Sequence, residues 1–412
     1  MGFLDIFRRK PQDSLSTSRP FFWGRASAGV SVNERTALNP AGVYACIRVL
    51  SEAVASLPLQ LYRYEGAGTV LDMEHPLYDV LHSVPNPDMT SFQLRETLMS
   101  HILLWGNAYA QIIWDGAGRV KYLYPLLPNK MDIGRNESGE LFYTYWREYW
   151  RDMDETRPQE KKGGVTLSRR DVLHILGLSF DGLVGYSPIA LAKNAIGMAI
   201  ATENYGAAFF ANGAAPGGVI ESDGTINHAG DLRKAWETLH MGVGNNQKIA
   251  VLEDGLKFHP VTIPPDQAQF LETRRFQLSE IARIFRVPPH MIGDLERSTF
   301  SNIEQQSLEF LTYSVEPWLI RWEQVMEMSL LSREERKQYN IRFNIDGLLR
   351  ADYETRMKGF AIGRQNGWLS ADEIRTLDRM NPLPPGMGGD RYLVNGNMTD
   401  VHSAEHFTRG GE

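Results

Sequence analysis

Two long helical stretches on either side of a compact insert restrict the folds open to this chain. The first begins at Ser187-Pro188, with proline in the first turn, and extends to about residue 213. At about 1.5 Å per residue it spans roughly 39 Å, which is too long and thin for the core of a small domain. Its small residues let another helix approach closely, and they are Ala192, Ala195, Ala199, Gly206 and Ala207. The pattern predicts side-by-side packing against copies of the same chain.

The second long stretch covers residues 264–289, and a capping box of Asp266 and Gln269 is predicted to open it. Its apolar residues share one face, and they are Leu271, Leu278, Ile281 and Phe285. At about 100° per residue, an adjacent face collects the arginines Arg275, Arg283 and Arg286. We call these three the basic stripe. A solvated face with acidic partners on the same helix is the alternative explanation.

The remaining segments have the pattern of an α+β protein. Before the first long stretch, helices are predicted after Asn39-Pro40 and after the Thr90–Gln93 capping box, followed by a hairpin over 108–126. The insert contains predicted strands at Gly218–Glu221 and Lys248–Leu252 around a helix near 228–240. A long helix over 304–331, kinked at Pro317, then a strand and two further helices complete the chain.

Charge and cysteine content exclude several function classes. The 43 basic and 50 acidic side chains give a net charge of −7, which disfavours tight DNA binding through bulk charge. Cys46 is the single cysteine, so an internal disulfide framework and any zinc site with two cysteines are excluded. The most apolar stretch, 182–215, is interrupted by Lys193 and Glu203, and no membrane-spanning helix is predicted.

Motifs that carry enzymatic chemistry are almost absent from the sequence. There is no Gly-Lys dipeptide for a phosphate-binding P-loop, and no Gly-x-Ser-x-Gly elbow that would present a nucleophile. His402, Glu405 and His406 match the inverted zincin spacing, but they follow a Gly- and Pro-rich stretch near the end, where a solvated tail is the better interpretation. His75 and His82 are expected to be structural. No catalytic residue, metal or cofactor is predicted.

Short segments lie in order along residues 35–390. They are Ala41-Gly42-Val43-Tyr44-Ala45-Cys46-Ile47, Leu57-Pro58-Leu59-Gln60-Leu61-Tyr62, His75-Pro76-Leu77, Pro85-Asn86-Pro87, Trp105-Gly106-Asn107-Ala108-Tyr109, Gly185-Tyr186-Ser187-Pro188, Asn212-Gly213, Val287-Pro288-Pro289-His290-Met291-Ile292-Gly293, Phe300-Ser301-Asn302-Ile303-Glu304 and Gly388-Gly389-Asp390. No single segment is specific, whereas their order and spacing are. Together they resemble the portal protein, or head-to-tail connector, of tailed double-stranded DNA bacteriophages of the siphovirus type.

The resemblance implies an α+β portal fold with an α/β wing, a long-helix stem, a small α/β clip and a helical crown, assembling as a closed ring, commonly of twelve subunits. Residues 1–29 would be a flexible N-terminal arm. The other parts carried onto this sequence are the wing (30–186 and 304–345), stem helices (187–213 and 264–289), clip (214–263), tunnel loop (290–303), and crown with a disordered tail (346–412).

The resemblance also implies function and partners. The ring would stand at one capsid vertex of the virion, after assembly in the host cell cytoplasm, as the channel for double-stranded DNA packaging and ejection. Its expected partners are other copies of the chain, the DNA, the major capsid protein, the large terminase and then the head-tail adaptor, with no membrane. Because this chain lacks a P-loop, the energy for packaging must come from the terminase. The chain itself is not expected to be an enzyme.

Two groups of residues are expected to meet the DNA. The tunnel loop is centred on Leu295, Glu296, Arg297, Ser298, Thr299, Phe300 and Ser301. The basic stripe either faces the channel or pairs with acidic residues on a neighbouring subunit. Twelve copies would carry about −84, and repulsion of DNA suits a conduit. The alternatives are a monomeric minor capsid or adaptor protein and a zinc hydrolase using His402, Glu405 and His406.

Overall fold

The computed structural model describes residues 24–66, 68–149, 161–211, 218–222, 230–231, 234, 256–260, 267–294, 300–345, 353–378 and 380–393. The chain divides into two compact units, Met1–Phe343 and Asn344–Glu412. Among the described residues, none of the helices combines the length and apolar character that a bilayer crossing requires. Several predicted segments lie outside these residues, namely the arm before residue 24, the strand Lys248–Leu252, the cap Asp266, the loop residues 295–299, and His402, Glu405 and His406.

The helices of the first unit form where apolar residues recur with helical spacing. They are α1 (Ala41–Ser56), α2 (Pro76–His82), α3 (Ser91–Trp105), α4 (Pro188–Leu191), α5 (Lys193–Ala211), α6 (Gln267–Phe285), α7 (Phe300–Glu309) and α8 (Glu316–Leu330). The predicted capping box of Thr90 and Gln93 opens α3. Helix α2 was not predicted, although Pro76 lies in its first turn and His75 Nδ1 accepts the N–H of Leu77.

The strands of the first unit pair antiparallel throughout. They are β1 (Gly24–Arg25), β2 (Ser31–Val32), β3 (Leu59–Glu65), β4 (Gly68–Leu71), β5 (Asn107–Trp114), β6 (Val120–Leu126), β7 (Met131–Arg135), β8 (Leu141–Tyr149), β9 (Lys161–Ser168), β10 (Val172–Leu176), β11 (Gly218–Glu221), β12 (Lys257–Pro260) and β13 (Tyr339–Phe343). The three-stranded sheets have the orders β10-β5-β6, β13-β3-β4 and β7-β8-β9. The predicted β5–β6 hairpin is confirmed, with a register shift at Ile113/Trp114.

The core of the first unit lies where α1 packs on α3 and α3 packs on β5. The predicted apolar face of α1 is buried, and its residues are Val43, Ile47, Leu50 and Val54. Strand β13 pairs with β3, so residues 339–343 add an edge to a sheet formed almost 280 residues earlier in the chain. The segment after α8 therefore belongs to the same body as the N-terminal strands.

A π-helix, Phe310–Val315, joins α7 to α8 directly before Pro317, the position at which the sequence predicts a kink. Proline lacks an N–H and its ring clashes with the carbonyl one turn earlier, and the wider π turn relieves that clash. The Ser314 hydroxyl in this segment donates to the carbonyl oxygen of Arg286 at 2.6 Å. The π segment therefore also holds the turn that follows α6.

Two sequence expectations for the long helices are corrected. The first stretch is interrupted at Ala192, which separates α4 from α5. The second ends at Phe285, and Arg286 has φ 56°, a left-handed conformation closed by a 2.9 Å hydrogen bond from Val287 N–H to the carbonyl of Ala282. The placement of Arg286 on the helical face of the basic stripe is therefore wrong, because helical periodicity stops one residue earlier.

The second unit contains α9 (Tyr353–Gln365) and α10 (Ala371–Leu377). The predicted capping box of Ser370 and Glu373 opens α10. Arg356 forms an ion pair with Asp378, which ties the two helices together. Asp372 accepts the N–H of Leu383 at 2.7 Å, so the segment after α10 folds back on this helix.

Candidate functional site

The long helices α5 and α6 lie side by side within one chain, whereas the sequence predicts packing of the first long stretch against copies of the same chain. Gln277 Nε2 on α6 donates to the hydroxyl of Thr202 on α5 at 2.9 Å. Toward its end α6 packs on α1, where Gly42 admits Leu278 so closely that a Cβ would lie 2.7 Å from its methyl group. On α5, a Cβ on Gly197 would overlap Ala26 of the same chain. Part of the small-residue surface is thus covered within the subunit rather than by another copy.

One stretch of α6 is exposed around the whole circumference of the helix. Residues 272–276 are five consecutive exposed positions, and at about 100° per residue they cover the whole circumference of the helix. Phe276 among them is 61% exposed. Leu191, Met198 and Tyr205 are also exposed, at a seven-residue spacing along α4 and α5. Apolar surface left open along a helix pair is typical of a surface that another protein covers.

Two residues of the basic stripe lie on α6, Arg275 within this exposed part and Arg283 near the end of the helix. Arg275 and Arg283 are both exposed, eight residues apart and therefore about 80° apart around the helix axis. Arg286 is exposed in the left-handed turn that follows. Side chains other than glycine rarely adopt this backbone conformation, which costs about 1 kcal/mol or more. The turn therefore retains a charged side chain where glycine would be less strained.

The described ends of the tunnel loop are held together. Residues Pro289–Ile292 form one 3₁₀ turn, and Gly293 with φ 92° ends it. His290 Nδ1 lies 2.9 Å from Gln306 Oε1 on α7, which fixes the start of the loop against the helix that follows. The predicted loop residues Phe300 and Ser301 form the first turn of α7.

The segments 105–109 and 185–188, which the sequence analysis names separately, are in contact where α3 and α4 join the strands. Asn107 donates from Nδ2 to the Gly185 carbonyl and accepts the Gly185 N–H at Oδ1, both at 2.8 Å. Ser187 donates to the Leu104 carbonyl and caps α4 through the N–H of Ala190. A Cβ on Gly185 would overlap the carbonyl oxygen of Gly106. This junction fixes the start of the long helices to the α3–β5 core.

A buried polar network extends the junction into the sheets. His174 Nε2 lies 3.1 Å from Asn107 Oδ1, and its Nδ1 lies 3.2 Å from the Tyr143 hydroxyl. Since Asn107 Oδ1 can only accept, the ring carries its proton on Nε2 and accepts the tyrosine hydroxyl at Nδ1. Burial, with the charge of Arg169, lowers the pKa of His174 to about 3. The imidazole is neutral and structural, without access to a substrate.

The other titratable candidates of the sequence have structural roles. His75 caps α2 and faces Glu335 at 3.7 Å, and His82 stacks on Tyr78. Burial raises the pKa of the Cys46 thiol to about 12, so this cysteine is unreactive at neutral pH. Within the described part of the chain, no group of three or more His, Cys, Asp or Glu side chains could hold a metal ion.

Sequence analysis missed a cavity of about 540 Å³. Arg119, Arg169 and Arg170 line it together with aliphatic side chains, and we call it the arginine cavity. Its residues come from the start of α2, the end of β5 with the β5–β6 turn, the turn before β10, and the end of α8 with the segment that follows it. The Arg169-Arg170 pair was the only local signal, and it does not reveal which other segments approach it.

Comparison with known proteins agrees with these features. The family model described as phage portal protein matches residues 41–378. A probable portal protein of Streptomyces phage phiC31 is 38% identical over 91% of this chain and 82% of the relative. The portal protein of Enterobacteria phage HK97 is 32% identical over 90% of this chain and 86% of the relative.

A solved structure shares the fold. It is a chain in the neck of a native gene transfer agent particle computed with C12 symmetry, with a TM-score of 0.53 at 23% identity. The match covers 89% of this chain and 97% of the neck chain. The family match over most of the length and the two phage relatives together establish that this chain belongs to the phage portal protein family.

Proposed function

We propose that this chain assembles into a closed ring of twelve subunits at one vertex of a phage capsid and forms the channel through which double-stranded DNA enters and leaves. The exposed turn of α6, residues 272–276, is the observation that carries the proposal. A helix exposed all round, with Phe276 open, is unfavourable in a monomer and is expected where neighbouring subunits enclose it. The C12 symmetry of the similar neck structure supports the ring number.

The order of elements supports an assignment of the parts of the ring. Helices α5 and α6 form the stem, and residues 214–263 between them form the clip, which docks the large terminase and afterwards the head-tail adaptor. The sheets, α8 and β13 form the wing, which faces the major capsid protein. The pairing of β13 with β3 supports one wing built from both 30–186 and 304–345. Residues 346–412 form the crown with its tail.

Basic residues near the end of α6 act as weak, non-specific phosphate contacts. Exposed Arg275 and Arg283 lie on the stem helix, and Arg286 follows it in a strained turn. The net charge of −7 per subunit otherwise repels DNA, so a few cations guide it without trapping it. The tunnel loop before α7 would contact the DNA, with Phe300 and Ser301 in the helical turn that follows it.

DNA packaging with variant portals tests this role. Replacing Arg275 and Arg283 by Glu is expected to lower the amount of DNA packaged while rings still form, because only exposed side chains change. Arg333, an exposed arginine after α8, replaced by Glu is the matched control. Normal packaging by the double variant would overturn the DNA role of these arginines and leave inter-subunit pairing as the alternative.

The strained turn gives an independent test. Arg286→Gly is expected to raise the free energy of unfolding by about 1 kcal/mol, since glycine adopts a φ of 56° without strain. It is expected to lower packaging at the same time. A variant that is more stable and packages normally would assign Arg286 no part in the channel.

A further inference from the structure

A hydrogen-bonded loop displays two apolar side chains beyond the end of β10. Phe180 is 83% exposed and Leu178 is 62% exposed. We call these two residues the apolar knob. Isolated exposed apolar residues are common, but an aromatic and an aliphatic residue two positions apart in one ordered loop are typical of an interface anchor.

The loop that carries the knob is pre-organised. Asp181 Oδ1 accepts the N–H groups of Leu183 at 2.8 Å and Val184 at 3.0 Å. The Ser179 hydroxyl oxygen lies 2.6 Å from the Val184 carbonyl oxygen and accepts the N–H of Gly182. Because the loop is already ordered, little conformational entropy is lost when the knob is buried by a partner.

Helix α8 fixes the base of the same loop. Arg321 donates to the carbonyl oxygens of Gly177 at 2.8 Å and Leu176 at 3.3 Å. Phe180 rests against the edge of Tyr186, with ring centroids 4.8 Å apart. The loop that carries the knob is therefore anchored to β10 and to α8.

The arginine cavity lies at the other end of β10. Strand β10 begins two residues after Arg170 and ends two residues before Leu178. At about 3.3 Å per residue its five residues separate the cavity from the knob by roughly 17 Å. One subunit thus presents a protrusion and a recess at opposite ends of a single strand.

The chemistry of the cavity complements the knob. Leu77, Val120 and Leu330 contribute apolar lining, and about 540 Å³ has room for an aromatic side chain. Arg170 stacks on Trp114 with its guanidinium carbon 4.6 Å from the ring centroid. That stacking leaves its N–H groups available for a carboxylate.

The remaining charges of the cavity already have partners. Arg119 pairs with Asp115 at 3.0 Å, and Arg169 donates to the Val172 carbonyl. Glu335, the acidic residue of the lining, accepts the N–H of Ser332 and faces His75. Arg170 is thus the cation of the lining best placed to receive an acidic group from a partner.

We infer that the apolar knob of one subunit inserts into the arginine cavity of the next subunit, with Asp181 of the loop opposite Arg170. A protrusion that fits a different surface on an identical neighbour makes a head-to-tail contact, and such contacts close into rings. This inference rests on the proposed ring and specifies the surfaces that would join its subunits.

Cysteine cross-linking tests the contact in the full-length chain. Phe180→Cys and Met328→Cys place thiols on the knob and at the cavity, and the native Cys46 is buried. A short bismaleimide is expected to join subunits carrying one substitution each into covalent dimers, and the double variant into a ladder of oligomers. Phe180→Cys with Tyr44→Cys is the control, because Tyr44 is exposed but lies on α1 outside the cavity. Wild-type protein is expected to give no covalent product.

A second variant measures the energetic role of the knob. Phe180→Glu is expected to reduce the ring fraction at least tenfold, while the thermal midpoint of the unassembled subunit stays unchanged, since the side chain is exposed in the monomer. Rings without cross-links at the Phe180–Met328 pair would overturn the contact and leave the ring standing. If Phe180→Glu leaves the ring fraction unchanged but loses adaptor binding, the knob binds the adaptor, and the proposed contact between subunits is wrong. Protein without rings under any condition would overturn both the ring and this contact.

Discussion

The side-chain amide of Gln277 on α6 donates to the hydroxyl of Thr202 on α5 at 2.9 Å, and this bond joins the two long helices. Gln277 is only 6% exposed, although the positions just before it on the helix are open. The Thr202 hydroxyl in turn donates to the Met198 carbonyl at 2.8 Å. One polar contact therefore aligns the two helices, next to the exposed residues 272–276 of α6.

Removing that bond should weaken the helix pair. Gln277→Ala and Thr202→Val are each expected to lower the free energy of unfolding, with a coupling of about 0.5–1.5 kcal/mol in a double-mutant cycle measured by urea unfolding. Additive effects of the two substitutions would contradict a direct interaction.

Arg95 is a buried cation placed on the ends of two helices. Its guanidinium donates to the carbonyl oxygens of Ala55 at 2.8 Å and Leu81 at 3.2 Å, in the last turns of α1 and α2. Burial lowers its pKa to about 10. The negative ends of both helix dipoles stabilise the charge that burial disfavours.

Arg95→Met is expected to lower the free energy of unfolding by about 3 kcal/mol, because two buried carbonyl groups lose their donors. Arg95→Lys should lose less but not be neutral, since one ammonium cannot reproduce the planar fork. Denaturant unfolding measures both. Arg48→Met, which breaks an exposed pair with Glu52, is the control and should leave the unfolding midpoint unchanged. Equal stability of Arg95→Met and wild type would show that burying the cation costs as much as its hydrogen bonds contribute.

Two buried histidines make stability depend on pH. Burial lowers the pKa of His101 to about 4, and burial with the charge of Arg169 lowers that of His174 to about 3. An unfolded histidine titrates near 6.5, so between about pH 6.5 and 4 the unfolded chain binds more protons. Stability is therefore full above about pH 6.5 and falls on acidification.

His101→Phe should flatten that dependence. Each neutral buried histidine contributes about 1.4 kcal/mol per pH unit in this range, and the substitution removes one of them. It also removes the buried Nδ1 of His101, which has no hydrogen-bond partner in the described structure. Denaturant unfolding at several values between pH 6 and 4.5 measures the slope, and a slope equal to wild type would contradict the assignment.

The junction between the α3–β5 core and α4 depends on glycine. Gly185→Ala is expected to cost about 1–3 kcal/mol, because its Cβ would overlap the Gly106 carbonyl and force the junction apart. Gly116→Ala is the control, since its Cβ would meet nothing within 4 Å. Thermal unfolding compares them, and equal midpoints would show that the junction adapts to the extra carbon.

Features decided by a few neighbouring residues were predictable from the sequence. Capping boxes at Thr90 and Ser370 and the β5–β6 hairpin are confirmed, since their side chains act within one turn of chain. The turn at Arg286 was missed, because nothing local distinguishes it from one more helical residue. The interruption at Ala192 was missed for the same reason.

Contacts between distant segments were not predictable. The segments around Asn107 and Gly185 were both noted in the sequence, yet their hydrogen bonds join residues 78 positions apart. The arginine cavity brings Arg119 and Arg170 to the end of α8, which no spacing rule indicates. Periodicity could place Arg275 and Arg283 on a helix, but the surface that they face depends on neighbouring copies in the proposed ring.

Native mass spectrometry of the full-length chain, paired with electron micrographs of the same sample, tests the central claim most directly. The account predicts closed rings with a central hole and a mass of about twelve times the 46.6 kDa of one chain. A protein that stays monomeric at every concentration, both alone and when co-expressed with a major capsid protein, would contradict it.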